Sequence, residues 1–331
     1  MMSSSKAATS TAAAADQSGE RNSLTTIHPD IVQSHILNRL NGATLASTSC
    51  ASVHFQSLCN DDRLWQRICN STWPSTAHPH VRSAVSSFPS AHRSFYSDSF
   101  PSLHNTGDLH RQGKRCPIET SELISAVDIY FDNKPIYSKI LKTETLSSWF
   151  MSSPFRLELL HPKETISTPI ESGAGGTCNE RAAEHLRVSW ILIDPARKRA
   201  VNVASQRAVE ARMHWLNEDL QLRYATVAVD IRGNPVQCAV VVKCGGEELQ
   251  VKEISMQVED MEGKILGGMD SLVILRGAMD GERRRADVAI EREIYEMFRR
   301  NKEDFRERKQ RRERGLDMAF IATGISIFFA I

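Results

Sequence analysis

Apolar residues recur at helical spacing between Ile27 and Cys69. Pro29 and Asp30 suit the first turn of a helix, because proline has no N–H to lose there and aspartate favours the positive end of the helix dipole. The apolar residues that follow share one face at i, i+4 spacing: Val32, Ile36, Leu37 and Leu40. Asn41-Gly42 can adopt the left-handed conformation that ends a helix. The pattern predicts a short amphipathic helix from Pro29 to Leu40.

Two more short helices are predicted before Cys69. We expect Thr44 to cap the second, which contains Leu45, and Asn60-Asp61-Asp62 to cap the third. The third helix carries a stripe of Leu64, Trp65 and Ile68, and Phe55 and Leu58 are expected to bridge the helices. Each large apolar side chain left in water forfeits about 1.5 to 3 kcal/mol. A segment of roughly 40 residues seldom folds on its own core, so we expect a partner to cover it. The alternative is a helical cap packed on the rest of this chain.

The pattern changes to short strands between Ser121 and Met279. Turn residues separate nine β-rich runs, and repeated helical crossovers are missing, which favours an antiparallel sandwich or jelly-roll-like domain. One helical or irregular insertion is expected at Ala208–Glu218. The predicted strands are Ala126–Phe131, Pro135–Ile140, Phe155–Leu160, Leu186–Ile193, Arg199–Ala204, Tyr224–Ile231, Val236–Val242, Glu248–Val258 and Ser271–Leu275.

The whole pattern predicts an α+β chain of several domains. The helical segment covers residues 24–70 and the β-rich domain residues 121–280. The other segments are a disordered leader at 1–22, an irregular collar at 71–120, a charged helix at 282–315 and an apolar tail at 316–331. The charged helix has a narrow apolar stripe, through which we expect it to pack against the sandwich. Coiled-coil pairing is the alternative. That stripe consists of Val288, Ile294, Tyr295, Phe298 and Phe305.

The apolar tail leaves two interpretations open. As a helix, Leu316–Ile331 would be about 24 Å long, which is short of the roughly 30 Å hydrocarbon layer of a membrane. It could act as a weak tail anchor, with the arginine-rich stretch before it on the cytosolic side. The alternative is a helix docked on the protein itself.

Composition indicates an intracellular protein. A formal net charge of +1 over 331 residues argues against a dominant nucleic-acid surface, so no nucleic-acid partner is expected. The seven cysteines are odd in number and contain no C-x-x-C pair, which suits reduced thiols in the cytoplasm or nucleus. The N-terminal residues lack the apolar core of a secretory signal.

Motifs for catalysis are weak. The glycine-rich stretch Ser172–Thr177 lacks the lysine of a phosphate-binding loop, and we predict a flexible loop there. His78 and His80 have no neighbouring cysteine or carboxylate cluster that would complete a metal site. No serine lies in a G-x-S-x-G turn. The sequence therefore predicts no catalytic residue, no metal and no cofactor.

The helical segment resembles the F-box family. The family pattern of Leu-Pro, a hydrophobic helix ending in Arg-Leu, Trp-x-x-Leu and Asp-x-x-Leu-Trp has its counterparts here in Pro29–Val32, Ile36–Leu40, Phe55–Leu58 and Asp61–Trp65. Two positions depart from it. His28 precedes the proline where the family has Leu or Ile and is expected to weaken adaptor binding, and Phe55 replaces a common Trp.

The resemblance implies a non-catalytic subunit of a ubiquitin ligase. F-box helices bind a Skp-type adaptor, which links them to a cullin scaffold and a RING subunit, while the β-rich domain would bind a target protein that the sequence does not name. The residues carried over as adaptor contacts or their support are Pro29, Ile31, Ile36, Leu37, Leu40, Leu45, Phe55, Leu58, Leu64 and Trp65.

Flanking sequences extend the resemblance to a group of plant F-box proteins. They are Trp73-Pro74-Ser75, Phe88–Phe95, Asp98–Pro101, Trp190–Pro195 and Val258–Gly263. A looser similarity to phloem-lectin sandwiches raises glycan binding as an alternative function, and a membrane-tethered interaction protein is the other alternative. A sugar would stack on an exposed aromatic such as Trp149, Trp190 or Trp215, but we predict all three to be core residues.

Overall fold

The computed structural model describes residues 28–100, 120–169, 177–216, 219–246, 249–281 and 287–330. The predicted leader, residues 101–119 of the predicted collar, and the predicted loop at residues 172–176 lie outside this part of the chain. The fold divides into two compact units, Met1–Asp61 and Asp62–Ile331, and each is described by itself.

The first unit is helical. Its first helical segment begins with α1 (Pro29–Ile31) and continues through a π-helical turn at Val32–Ile36 and a 3₁₀ turn at Leu37–Arg39. Helices α2 (Gly42–Ser49) and α3 (Val53–Cys59) follow. The predicted helix from Pro29 to Leu40 is therefore helical but changes its geometry along its length.

The caps of the first unit differ from those predicted. Asn41 does not end the first helix in a left-handed conformation; it has extended backbone and begins α2, where its Oδ1 accepts a hydrogen bond from the Thr44 N–H at 2.8 Å. The prediction of Thr44 as the cap was wrong, because Thr44 already lies in the first turn. Ser52 caps α3 by accepting from the Phe55 N–H at 3.2 Å. Phe55 and Leu58 thus lie on a helix of their own.

The second unit opens with a helical layer. Helix α4 spans Asp62–Thr72, a 3₁₀ turn spans Pro74–Ala77, and α5 (Pro79–Ser86) and α6 (Ala91–Asp98) follow. The segment predicted to be irregular is therefore mostly helical between Pro74 and Asp98. Proline at the first position of the 3₁₀ turn and of α5 fits this, since proline loses no helical hydrogen bond there.

Two antiparallel sheets form the centre of the second unit. The first contains β1 (Glu122–Phe131), β2 (Lys134–Glu144), β4 (Leu186–Asp194) and β5 (Arg199–Asn202) in the order β2-β1-β4-β5. The second has the order β3-β9-β8-β7-β6. Its strands are β3 (Arg156–Glu158), β6 (Glu210–Met213), β7 (Leu220–Val229), β8 (Pro235–Gly245) and β9 (Gln250–Glu259). The antiparallel prediction is confirmed.

Both sheets contribute to one hydrophobic core. Trp190 and Leu192 of β4 enter it together with Val240 and Met256 of the second sheet. Ile191 and Ile193 are also fully buried but belong to the other face of the strand. This alternation is the one expected for a central strand covered on both sides.

Two predicted elements of the β-rich domain were wrong. Ser271–Leu275 is part of helix α9 (Gly268–Asp280) and not a strand, because its apolar residues bury one helical face together with Ala278 and Met279. Ala208–Glu218, predicted to be a helical or irregular insertion, contains the edge strand β6. Two shorter helices complete the domain, α7 (Ser148–Ser152) and α8 (Thr177–His185).

The last helix, α10, runs without a break from Val288 to Ala330. It therefore joins the predicted charged helix and the predicted apolar tail in one element. Tyr295 and Phe298 are buried, and Tyr295 packs against Ala225 and Ala239, so the helix rests on the second sheet as predicted. Within the described part of the chain, no helix combines the length and apolarity needed to span a membrane.

Candidate functional site

Three of the predicted adaptor-binding residues are exposed in the first helical segment of the first unit. Pro29 lies at the surface, Ile31 keeps 50% of its area exposed and Ile36 keeps 40%. Isoleucine is usually among the most buried residues, so two exposed isoleucines in one short segment are an unusual apolar feature of this surface. We call Ile31 and Ile36 the apolar docking face; Pro29, two residues before Ile31 in α1, lies on nearly the opposite side of the helix.

The other predicted contacts in the first unit are more enclosed. Leu37 and Leu45 are fully buried and Leu58 nearly so, while Leu40 and Phe55 are half-buried. The side-chain amide of Gln33 donates to the Leu58 carbonyl oxygen at 3.3 Å, which ties the first helical segment to α3. The buried leucines therefore support the shape of the unit and do not present a contact surface.

Sequence reasoning missed Val53, which is 83% exposed. It occupies the first position of α3, directly after the Ser52 cap. Ser52 was the sequence signal that could have revealed this exposure. A serine that caps α3 places Val53 in the first turn of that helix, away from the stripe of Phe55 and Leu58.

Leu64 and Trp65 lie on α4 in the second unit, where both are buried. The Trp65 ring packs against Tyr96 with 5.3 Å between ring centroids, and the Arg93 guanidinium lies 5.8 Å from the Trp65 ring centre. These residues fix α4 against α6. Their part in adaptor binding would be support and not direct contact.

A hydrogen-bonded pair at the start of α4 strengthens the same packing. The Asp62 carboxylate accepts hydrogen bonds from the backbone N–H of His92 at 3.0 Å, and its Oδ2 lies 2.9 Å from His92 Nδ1. His92 is buried on α6. The last helix of the F-box-like segment is therefore built into the helical layer of the second unit.

The flanking sequences noted above lie at joints between elements. Ser75, from Trp73-Pro74-Ser75, donates its backbone N–H and its hydroxyl to the two carboxylate oxygens of Asp128 at 2.8 and 2.6 Å. Ser138 donates to the same carboxylate at 2.6 Å, and the Tyr130 hydroxyl donates to the Thr72 carbonyl oxygen. These bonds hold the helical layer on the outer face of the first sheet.

Asp98 makes a second joint. Its buried carboxylate accepts from the backbone N–H of Ala200 at 3.3 Å and lies 3.2 Å from Arg199 Nε on β5. Asp194, at the end of the Trp190–Pro195 sequence, accepts from the Thr120 hydroxyl and from the Arg197 backbone N–H. Both carboxylates serve the packing of the first sheet.

The Val258–Gly263 sequence holds α10. Glu259 is buried and pairs with Arg223 at 2.8 Å and with Lys302 of α10 at 3.4 Å, while Glu262 pairs with Lys309 at 2.7 Å. Burial raises the pKa of Glu259, but the Arg223 and Lys302 charges and a hydrogen bond from Gln257 outweigh burial and hold that pKa below its ordinary value. The motif thus docks the last helix on the second sheet.

The tryptophans of the β-rich domain differ in burial. Trp190 is fully buried, as predicted. Trp149 and Trp215 are 77% and 86% exposed, so their prediction as core residues was wrong. Trp149 lies on the short helix α7 and Trp215 follows the edge strand β6, so neither is part of a strand that faces the core.

The described residues hold no group of three or more metal-ligating side chains, and Cys50, Cys59, Cys69, Cys238 and Cys244 form no disulfide with one another. Burial raises the pKa of Cys238 and of Cys244 to about 12, which leaves both thiols protonated and unreactive at neutral pH.

Comparison with known proteins supports the F-box resemblance over most of the chain. A family model described as F-box-like matches residues 29–71, which include the apolar docking face and all of α4 except its last residue. F-box protein At2g27310 of Arabidopsis thaliana is 42% identical over 92% of this chain and 94% of its own length. Probable F-box protein At2g36090 and F-box protein At3g44326, both of Arabidopsis thaliana, are 40% and 39% identical. They cover 91% and 82% of this chain, and 90% and 78% of their own lengths.

No solved structure gave a significant match. F-box proteins generally act as substrate-recognition subunits of SCF ubiquitin ligases, assemblies of a Skp-type adaptor, a cullin and an F-box protein, and are typically non-catalytic. The F-box domain generally binds the Skp-type adaptor. The helical segment with its exposed docking face, and the identity shared along most of the chain, place this protein in the F-box protein family.

Proposed function

We propose that this chain is a substrate-recognition subunit of an SCF-type ubiquitin ligase. The apolar docking face binds the Skp-type adaptor, and through it the cullin and RING subunits, while the β-rich domain binds a target protein. The observation that carries the proposal is the exposure of Ile31 and Ile36 inside the segment matched as F-box-like. Covering the exposed part of each of them would contribute about 1 kcal/mol to association.

Helix α4 supports a bridging role. It belongs to the F-box-like segment, and it is built into the second unit through Asp62, Trp65 and their partners on α6. A target held on the β-rich domain would therefore keep a defined position relative to α4. Substrate recognition requires such a geometry, because the ubiquitin-transfer chemistry takes place on other subunits.

The target surface is proposed to include Trp149. This side chain and Leu146 are exposed on and beside α7, and Met269 is exposed on the neighbouring helix α9. The two helices adjoin, since the Gly268 N–H donates to the Ser153 carbonyl oxygen at 3.0 Å. An exposed tryptophan with apolar neighbours is typical of a protein-binding hot spot.

Glycan binding remains a second candidate function, because Trp149 and Trp215 are exposed as a stacking aromatic must be. A glycan array with the full chain and its Trp149→Ala and Trp215→Ala variants tests it. Loss of the sugar signal in one of these variants would favour the lectin-like function. Binding of target proteins in the absence of any sugar signal would favour protein recognition.

Affinity purification of the full-length chain from plant cells tests the ligase proposal. Ile31→Asp should remove the adaptor, cullin and RING subunits together, whereas target proteins should stay bound and accumulate. Aspartate is favourable in the first turn of a helix, so this change keeps α1 intact. Ala43→Asp is the matched control, since Ala43 is exposed in the first turn of α2 and outside the docking face. Retention of the adaptor by the Ile31→Asp variant would refute the proposed face.

We place this assembly in the cytoplasm or nucleus. Cysteines that form no disulfide, such as Cys50, Cys69, Cys238 and Cys244, suit a reducing compartment. The proposal needs no cofactor, metal or nucleic acid.

A further inference from the structure

The C-terminal part of α10 extends beyond the polar contacts that dock this helix on the β-rich domain. Among the described residues, Lys302, Arg306 and Lys309 make these docking contacts, at Glu259, the Glu262 carbonyl oxygen and the Glu262 carboxylate. Every described side chain from Gln310 to Ile321 is exposed. The helix continues to Ala330, about 32 Å past Lys309 at 1.5 Å per residue. We call residues 310–330 the C-terminal arm.

The arm carries exposed apolar side chains on more than one side. Leu316 is 53% exposed, and Met318, Phe320 and Ile321 are more exposed still. At about 100° per residue, Met318 lies on nearly the opposite side of the helix from Leu316. A partner helix in a coiled coil covers only a narrow stripe. Apolar residues on opposite sides call for an apolar medium that surrounds the helix.

Positive charge lies directly before this apolar run. Residues 306–314 contain six basic and two acidic side chains, a net charge of +4, whereas residues 316–330 contain one charged residue, Asp317. Of the six basic residues, Arg306 and Lys309 contact Glu262. Arg312 and Arg314 are exposed and make no ion pair with any described residue. Along α10, residues 306–314, which we call the basic segment, therefore come directly before the apolar end of the helix.

We propose that the C-terminal arm binds the surface of a membrane that contains anionic lipids. The arginines at 311, 312 and 314 meet the lipid phosphates and carboxylates, and Leu316, Met318, Phe320 and Ile321 enter the acyl region. The positive charge of the basic segment complements an anionic lipid surface. The exposed apolar side chains of the arm complement the acyl interior of the membrane. A ligase subunit bound in this way would select targets at the membrane surface.

Vesicle co-sedimentation with the full-length chain tests this proposal. The probes are vesicles of phosphatidylcholine alone and of phosphatidylcholine with about one third phosphatidylserine. We expect binding to the anionic vesicles that weakens with added salt, and little binding to the neutral ones. Phe320→Glu should abolish binding, because it places a carboxylate in the apolar run.

Two double variants that remove the same charge distinguish lipid attraction at residues 312 and 314 from an effect of the net charge of the chain. Arg312→Gln with Arg314→Gln should lower the partition constant by about 10- to 30-fold, since each arginine near the surface strengthens binding severalfold. Arg299→Gln with Arg300→Gln removes the same charge from exposed positions nearer the docked part of α10 and should change it little. The adaptor-defective Ile31→Asp variant should bind vesicles like the unmodified chain.

Three results would overturn the proposal. They are equal binding to neutral and anionic vesicles, equal weakening by the two arginine pairs, and no binding to vesicles at all. Self-association of the chain that is lost in Phe320→Glu, without vesicle binding, would instead assign the arm to a second copy of the protein.

Discussion

Asp128 shows how one buried side chain positions a whole layer. It is fully buried and accepts hydrogen bonds from the Ser75 N–H, the Ser75 hydroxyl and the Ser138 hydroxyl. Burial is the largest influence on its pKa and raises it, although the bonds from Ser138 and Ser75 act in the opposite direction. The carboxylate is therefore held by specific donors in a site that disfavours its charge.

Replacement of Asp128 should destabilise the second unit strongly. Asp128→Ala leaves two donors of Ser75 without their acceptor, and we expect a loss of about 3 kcal/mol in the free energy of unfolding. Ser138→Ala removes one of the three bonds and should cost about 1 kcal/mol. Urea denaturation measures both. Equal losses in the two variants would show that Asp128 does not act as the shared acceptor.

Glu291, in the first turn of α10, is expected to make the stability of the protein depend on pH. Its Oε2 accepts from the Gln206 N–H at 2.9 Å, and its Oε1 is buried without a hydrogen-bond partner among the described residues. Burial, helped by the nearby charge of Asp287, raises the pKa of Glu291 to about 7. The folded protein thus holds this proton more tightly than the unfolded chain, whose glutamate has a pKa near 4.5.

The stability contributed by Glu291 should fall as the pH rises from about 4.5 to about 7, because ionisation is easier in the unfolded chain. Glu291→Gln keeps the acceptor for Gln206 without the charge. The free energy of unfolding of this variant should exceed that of the unmodified protein by about 1 kcal/mol at pH 8 and by little at pH 4.5. Glu293→Gln, an exposed change on the same helix, should show no such trend in urea titrations.

At the scale of elements, α7 and α9 meet so closely that a glycine is required. A Cβ on Gly268 would lie 2.2 Å from the Phe150 carbonyl oxygen, which belongs to the backbone. In contrast, a Cβ on Gly315 of α10 would meet nothing within 4 Å. The two glycines therefore serve different purposes, and the same substitution should have opposite effects.

Gly268→Ala should lower the free energy of unfolding by about 1 to 3 kcal/mol, because the helices must separate to admit the methyl group. Gly315→Ala should cost nothing and should raise amide-exchange protection in α10 by up to about 1 kcal/mol, since alanine favours the helix. A neutral Gly268→Ala variant in urea denaturation would contradict the close approach of the two helices.

Elements differed in how far the sequence could predict them. Trp190 and Leu192 revealed a central strand because alternation placed both in the core. The run from Ser271 to Leu275 was wrongly predicted to be a strand, because five mostly apolar residues fit a strand and a buried helix equally well. The exposure of Trp149 depends on the packing of α7 against α9, and no local pattern encodes that contact.

At the scale of the whole molecule, the family and the type of its helical segment were predictable, but the roles of single residues within the site were not. Ile31, Ile36 and Leu37 look alike in the sequence, yet the first two are exposed and Leu37 is fully buried. The π-helical turn at Val32–Ile36 moves Ile36 away from the face of buried Val32, where the i, i+4 spacing would place it, and that turn has no simple sequence signal. Leu37→Asp would therefore disrupt the unit itself and cannot report on binding.

The most direct measurement is the dissociation constant of the full-length chain for a purified Skp-type adaptor, by titration calorimetry. Ile31→Asp and Ile36→Asp should each weaken binding by at least about tenfold, since each removes an isoleucine of the docking face and places a carboxylate there. Ala43→Asp should leave the dissociation constant unchanged. Unchanged affinity in both isoleucine variants, with circular dichroism showing that they are folded, would contradict adaptor docking through this face.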